Sequence, residues 1–498
     1  MSVLHKTRPT IAQRSSHEAN YLPYPSPRHQ PRLRCVPDRL LRVIKFGGTS
    51  VADATAILQA AQIAKQISHE CRLVVVVSAM RGVTDKLVEA AKLSAAAKSG
   101  LVQEIFSNLK ERHYDAISSL LSSAVDRDHT QEKLTQVLNE GIRRCNQVHE
   151  KGELAPEDLD FISGLGECLT APLFAAALTE LGICSEAIAA TELIVTDRNF
   201  GGAEPNMRLT RKRCRARLAN LLNRHVVPVI TGFIGATPEG LPTTLGRNGS
   251  DFSATIVAAA VDANEVIIWT DVNGVMTADP RVVPTARTIA ELSYREGSEL
   301  ARLGAKVLHY KTLSVLESAG TPVWVRSTFA PEMHGTKITP GVRITNGGVA
   351  MTTLRDVSLI TIRPPAAAKS HKGLKRTAQA LENHANSLFV SKMAGQVSIV
   401  ARSAEADQVI DVLKAKLRPN RRASGSKISI TRQLALIAMV SDDSAALSQT
   451  FTRIVDLLKN QNVSVLFATK SEERGSCCVL AHQSDFAHAV AAAHAALE

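Results

Sequence analysis

The chain is short of aromatic residues, which make up 4% of its 498 positions, with only two tryptophans. A stacking platform for single-stranded nucleic acid needs more. It has no unbroken run of about 18 apolar residues, so the sequence offers no membrane span. Its eight cysteines are scattered, adjacent only at Cys477–Cys478. They form no CxxC pair and no Cys/His metal spacing, which points to a reduced, cytosolic setting and to no metal site. A Walker A loop is missing, and so is the GxGxxG of dinucleotide sites.

Excess positive charge is present, +12 overall, but it is unevenly spread. Residues 1–42 hold eight Lys/Arg against two acids, so six of the twelve net charges sit there. Residues 1–40 are rich in Pro, Arg, His and Ser, show no apolar period, and read as a disordered extension. They lack the apolar core of a secretory signal, and being Arg-rich they leave an organelle transit peptide as the alternative to a cytoplasmic protein. Two further basic runs, Arg208–Arg217 and Lys414–Arg422, read as a solvated helix face and a loop. No nucleic-acid partner is expected.

Order is expected from about residue 41. "LRVIKFGG" reads as a strand ending in glycines, and "RLVVVVSAM" (72–80) as a strand buried on both faces of a parallel sheet. Helices are expected near 53–67, from 83, over 100–151 and 156–181, in the basic run, after "GRNGSD", and near 297–303 and 311–319. Strands are expected at 186–190, 225–233, 265–272 and 321–328. This alternation argues for a layered α/β domain over 41–330 with a mainly parallel three-layer sheet. A linker is expected at 331–350. Two βαββαβ-like modules follow, at 351–432 and 433–498, with a soft boundary that allows interleaving.

Four marked turns fall at the C-terminal ends of expected strands: "KFGGTS" (45–50), "SAMRGVTD" (78–85), "GRNGSD" (246–251) and "WTDVNGVMTADPR" (269–281). Ligands bind in that edge crevice of open parallel sheets. Lys45 can meet a phosphate as a point charge while Gly47 and Gly48 admit close backbone approach. "GRNGSD" poses a puzzle, since an arginine and a carboxylate share one glycine turn at a helix start.

These motifs, with "GAKVLH", resemble the aspartate kinase series of the amino-acid kinase superfamily over about 43–328. The C-terminal pair resembles ACT regulatory domains. The likeness is greatest to the kinase half of bifunctional aspartate kinase–homoserine dehydrogenases, and the chain is read as monofunctional. The resemblance implies transfer of the γ-phosphoryl of Mg-ATP to the β-carboxylate of L-aspartate, the first step toward lysine, threonine and methionine. A carboxylate is already ionised at neutral pH, so the acceptor needs no general base.

The resemblance also assigns roles. Lys45 would neutralise the transferring group, within a cradle of Gly47, Gly48 and Ser50. Arg247 would hold the substrate α-carboxylate and Glu167 its α-ammonium, with Ser78, Thr84 and Ser250 lining that pocket. Asp251 would organise the cations. Thr270, Asp271, Met276 and Arg281 would lie in the nucleotide loop, and Lys306 would reach the phosphates. The metal would be held mainly by the nucleotide itself. Met276, Leu303 and Tyr310 stand where tyrosine, phenylalanine and proline are usual. Lysine or threonine is the expected effector at the ACT modules, and a homodimer or dimer of dimers the expected assembly. The alternatives are a kinase of another amino acid or carboxylate on the same fold, and a non-catalytic amino-acid sensor.

Overall fold

In the computed structural model, residues 40–305, 308, 310–341, 348–363, 387–393, 396–417 and 427–497 are described. The expected disorder of residues 1–39, the helix between 364 and 386, Lys306, and part of the Lys414–Arg422 run lie outside the described residues.

The chain opens with β1 (Leu41–Phe46), α1 (Ala54–Ser68), β2 (Arg72–Val77), α2 (Val83–Ala95), α3 (Ser99–Leu120), α4 (Ala124–Lys151), α5 (Pro156–Ser163), α6 (Leu165–Glu180) and β3 (Ser185–Ile188). It continues through α7 (Met207–Asn223), β4 (Val227–Thr231), the small β5 (Ile234–Ala236) and β6 (Pro242–Thr244), α8 (Gly249–Ala260) and β7 (Glu265–Thr270). Then come β8 (Glu291–Ser293), α9 (Tyr294–Arg302), α10 (Tyr310–Glu317), β9 (Val323–Ser327) and β10 (Thr336–Thr339).

Eight of these strands form one sheet, in the order β3-β4-β2-β1-β7-β9-β10-β8. Every neighbouring pair is parallel except β9 with β10. The strands are apolar on both sides because both sides are covered. Val43, Val74, Val76 and Ile268 join one core with α7, α8 and α10, while Ile44, Val75, Val77 and Ile267 join another with α1, α2, α3 and α6. Each fully buried valine stabilises this arrangement by about 1.5–3 kcal/mol. The mixed α/β, mainly parallel architecture is as the alternation of elements implied.

Three details differ from expectation. The helix expected over 156–181 is two helices broken at Gly164, where a Cβ would come within 2.6 Å of Ile234 Cγ2. The stretch Pro156–Glu180 reaches a mean hydropathy of 1.5, long and apolar enough by composition to span a bilayer, yet 78% of that window is buried inside the protein. The expected linker contributes β10 to the large sheet, because Thr336 and Ile338 are buried between β9 and β8.

The rest of the chain forms a six-stranded antiparallel sheet. It comprises β11 (Ala350–Arg363), β12 (Ser387–Met393), β13 (Gln396–Arg402), α11 (Ala406–Leu417), β14 (Lys427–Val440), α12 (Ser444–Asn460), β15 (Phe467–Ser471), β16 (Ser476–His482) and α13 (Phe486–Ala495). The strand order is β12-β13-β11-β14-β16-β15. The 14-residue strands β11 and β14 pair along their length, with register shifts between Leu354 and Leu359. Asp356 and Gln433 adopt positive φ beside that break (56° and 59°). On one side of it Ile360, Ile362, Ile399 and Leu413 share a core; on the other Met351, Ile437, Ile454 and Phe486 share a second. The first half of β11 therefore packs with the second core, so the two units interleave.

Candidate active site

Pleating sends Lys45 to the same side as Val43, toward α8. There its Nζ lies 2.6 Å from Asp251 Oδ1, with the two side chains only 10% and 8% exposed. The pairing follows from where α8 begins. Gly246 (φ 78°) and Asn248 (φ 57°) turn the chain back on itself, which leaves Arg247 exposed and brings Asp251 inside in the helix's first turn. Asn248 Nδ2 donates to Asp251 Oδ2 at 3.5 Å. Arg247 carries no ion pair among the described residues. The two charges of "GRNGSD" thus have separate surroundings.

The glycine turn after β1 leaves no room for side chains. The Gly47 amide donates to the Trp269 carbonyl at 3.2 Å, joining this turn to the end of β7. A Cβ on Gly47 would sit 3.3 Å from Lys45 Nζ, and one on Gly48 would sit 3.0 Å from the Ala79 carbonyl oxygen. An ammonium beside two glycines that leave the backbone bare, at a sheet edge, suits an anion. Ser50 is fully buried, and its hydroxyl shares a 2.6 Å hydrogen bond with Thr328, so it ties the cradle to the end of β9.

Beyond β2 a polar chain runs across the crevice. Ser250 Oγ donates to Ser78 Oγ at 3.2 Å, and Ser78 Oγ donates to Glu167 Oε1 at 3.5 Å. Glu167 stands in the first turn of α6, brought close to β2 by Gly166, whose added Cβ would be 2.6 Å from Ala79 Cβ. Burial pushes the Glu167 carboxyl up to about 8, against the opposing pull of the Ala79 amide, its own amide, Ser78 and Lys45. Its Oε2 is buried with no hydrogen-bond partner among the described residues. A buried carboxylate left in that condition is costly unless something cationic fills it. Thr84 is half-buried in the first turn of α2, after Gly82 (φ 79°).

The structure brings Lys45, Gly47, Gly48, Ser78, Glu167, Ser250 and Asp251 to one crevice through these contacts. Thr270 and Asp271 end β7, with Thr270 Oγ1 donating to Asp271 Oδ1 at 3.2 Å. Met276 is half-buried, its Sδ accepting from the Thr288 hydroxyl at 3.4 Å. Arg281 is exposed and pairs with Asp279 in its own loop, at 3.0 Å from Nε and 2.7 Å from Nη2.

Sequence reasoning missed Asp160. It is buried in α5 and accepts from the Gly201 amide (2.9 Å), the Thr244 amide (2.7 Å) and the Thr244 hydroxyl (2.9 Å). Burial raises its carboxyl's proton affinity, while those donors oppose the rise. It fixes the strand that leads into "GRNGSD" from beneath. No motif marks it, since its partners lie 41 and 84 residues away. Arg112 was missed too; its Nη1 and Nη2 donate to the carbonyls of Arg81 and Ala52, strapping two site turns together.

The model of the amino acid kinase family matches residues 41–327. Among curated proteins, the chain is 28% identical over 469 residues to bifunctional aspartokinase/homoserine dehydrogenase 1 of Zea mays, covering 91% of this chain and 50% of that one. It thus spans about half the length of the curated relatives of this bifunctional type. It is 29% identical over 427 residues to lysine-sensitive aspartokinase 3 of Escherichia coli, covering 85% of this chain and 92% of that one. Among solved structures, E. coli aspartokinase III in complex with aspartate and ADP superposes with a TM-score of 0.76 at 26% identity, over 92% of this chain and 99% of that chain.

Proposed function

We propose that this chain, which belongs to the amino acid kinase family, is an ATP-dependent aspartate kinase that makes 4-phospho-L-aspartate. One observation carries the reading. The buried Lys45–Asp251 pair and the buried, half-unpartnered carboxylate of Glu167 belong to one crevice, linked by Ser78 and Ser250. That crevice has Lys45 at one end, suited to a phosphoryl group, and at the other the Glu167 carboxyl, which an ammonium would ionise and pair with. An amino acid held by its ammonium would point its side-chain carboxylate toward Lys45.

The roles follow from the charges. Glu167 takes the α-ammonium of aspartate, and Arg247, exposed and unclaimed, closes over the α-carboxylate as a bidentate donor. The β-carboxylate is itself the nucleophile and carries no proton to remove. The barrier is repulsion between two anions, so fixed cations and backbone dipoles are the effective tools. Lys45 places one charge at the transferring group, Asp251 fixes its direction, and the Gly47–Gly48 backbone leaves space for phosphate oxygens. Thr270 and Asp271 border the nucleotide, and Lys306 is assigned to its phosphates. Magnesium, carried in on those phosphates, would supply further charge neutralisation.

The interleaved C-terminal modules fit an amino-acid effector role. The curated E. coli relative is called lysine-sensitive, which makes lysine the first effector to test, and threonine the second. Homodimerisation through these modules belongs to the same reading, and light scattering reads it. A cytoplasmic or an organellar setting is compatible with this chemistry, and fractionation separates them.

The test is ATP-dependent hydroxamate formation with L-aspartate against glutamate, N-acetylglutamate and carbamate. Aspartyl hydroxamate from wild type, and none from Lys45→Ala, is expected. Well-folded wild type that phosphorylates another acid, or none, overturns the proposal.

A further inference from the structure

Residues 271–290 follow β7 as one long loop, and its two halves are held by different parts of the molecule. The base is tied to the large sheet. The Val275 amide donates to Thr336 Oγ1 (2.8 Å), which itself donates to the Ile289 carbonyl (2.6 Å), and the Ile289 amide returns to the Val275 carbonyl (2.8 Å). Gly274 (φ 94°) sits so close that an added Cβ would lie 2.5 Å from Thr336 Oγ1.

The tip is held elsewhere. Ala278 and Val283, each 5% exposed, are buried in the core of the second C-terminal unit with Phe486, Ala489 and Ala493 of α13. Val282 and Ala286 pack against the same core. Thr277 makes a polar contact across the two. Thr277 Oγ1 accepts the Arg287 amide at 2.9 Å, which leaves its own proton free for His494 Nε2 at 3.0 Å. His494 is 3% exposed and Thr277 half-buried, so the contact is partly shielded from water. Thr277 and His494 are 217 residues apart in sequence.

We propose that α13 positions the nucleotide loop, with His494 acting through Thr277, so that the last helix of the chain sets how tightly adenine nucleotide is held. A loop of this length anchored only at its base samples many conformations, and ordering it on binding lowers affinity. Docking the tip in a preformed core removes that freedom in advance. Thr270 and Asp271, at the loop's start, inherit the order. His494 and Thr277 act as positioning residues, through the loop they hold. The inference rests on the reading of 269–281 as the nucleotide loop.

The experiment measures ADP binding by calorimetry, and initial rates with varied ATP and varied aspartate, in wild type, His494→Ala, His494→Gln, Thr277→Val and Thr277→Ser. Loss of a partly shielded hydrogen bond weakens binding by roughly tenfold. KM for ATP and Kd for ADP should rise about that much in His494→Ala and Thr277→Val, with kcat and KM for aspartate within about twofold of wild type. His494→Gln and Thr277→Ser, which keep an acceptor and a hydroxyl, should return toward wild type. If the two deleting variants bind ADP as tightly as wild type, the inference is wrong even where their melting temperatures fall. Equal rises in both KM values would refute it as well. Should wild type bind neither ADP nor ATP, the nucleotide reading fails and this inference with it. Should His494→Ala not fold, the Thr277→Val and Thr277→Ser pair decides alone.

Discussion

Aspartate binding should release a proton, and Glu167 should be its source. Burial raises this carboxyl to about 8 in the ligand-free protein, so at about pH 7 roughly nine in ten molecules carry the proton. An α-ammonium placed against Oε2, the buried oxygen without a partner, favours the ionised form and drives the proton off. The expected stoichiometry near pH 7 is most of one proton released per aspartate bound, falling toward zero well above about pH 8. Apparent affinity should therefore rise nearly tenfold per pH unit up to about 8 and then level off. Calorimetry in buffers of different ionisation enthalpy reads the proton count directly.

Stability moves the other way. The folded value lies above the unfolded one of 4.5, so Glu167's contribution is complete below about 4.5 and is lost as pH rises through about 8. The span of about 3.5 units corresponds to at most ~5 kcal/mol in the ligand-free protein. Glu167→Gln should remove both the proton release and this pH dependence, and weaken aspartate binding by about 2 kcal/mol, or thirtyfold. Binding enthalpy independent of buffer, with equal aspartate affinity at pH 6 and pH 8, would refute the reasoning.

Further outcomes test the other groups. Lys45→Ala should abolish hydroxamate formation and also leave Asp251 buried without its partner, lowering stability by about 3–5 kcal/mol in urea unfolding; unchanged rates would contradict its role. Arg247→Ala, at an exposed position, should leave the melting temperature within a few degrees while raising KM for aspartate by about ten- to a hundredfold. Gly48→Ala places a Cβ 3.0 Å from the Ala79 carbonyl oxygen, so the cradle must widen; kcat/KM for ATP should drop by about tenfold or more while circular dichroism stays unchanged. Asp160→Ala strands the amide and hydroxyl of buried Thr244 and should destabilise by about 1–3 kcal/mol, read as a lower unfolding midpoint.

How much of this was readable in advance depended on the range of the interaction concerned. "RLVVVV" declared a strand covered on both faces because local composition reports burial directly, and the parallel sheet followed from the alternation of elements. Lys45 could be singled out because it ends such a strand before two glycines. Asp160 could not, because its partners Thr244 and Gly201 are brought to it only by the fold. The need for glycine at Gly164, where the helix breaks, has the same origin: an added Cβ would lie 2.6 Å from Ile234, 70 residues away. The interleaving of β11 with β14 shows the limit most plainly. Each reads as a single apolar strand, and only the register shift near Asp356 reveals that one strand serves two cores. The turn "GRNGSD" lies between these cases. Its glycines and the left-handed Asn248 are local features, and they suffice to send neighbouring charges in different directions. What they could not tell was which charge faces inward. That is decided by Lys45, two hundred residues earlier, which gives Asp251 a buried partner and leaves Arg247 outside to meet whatever enters.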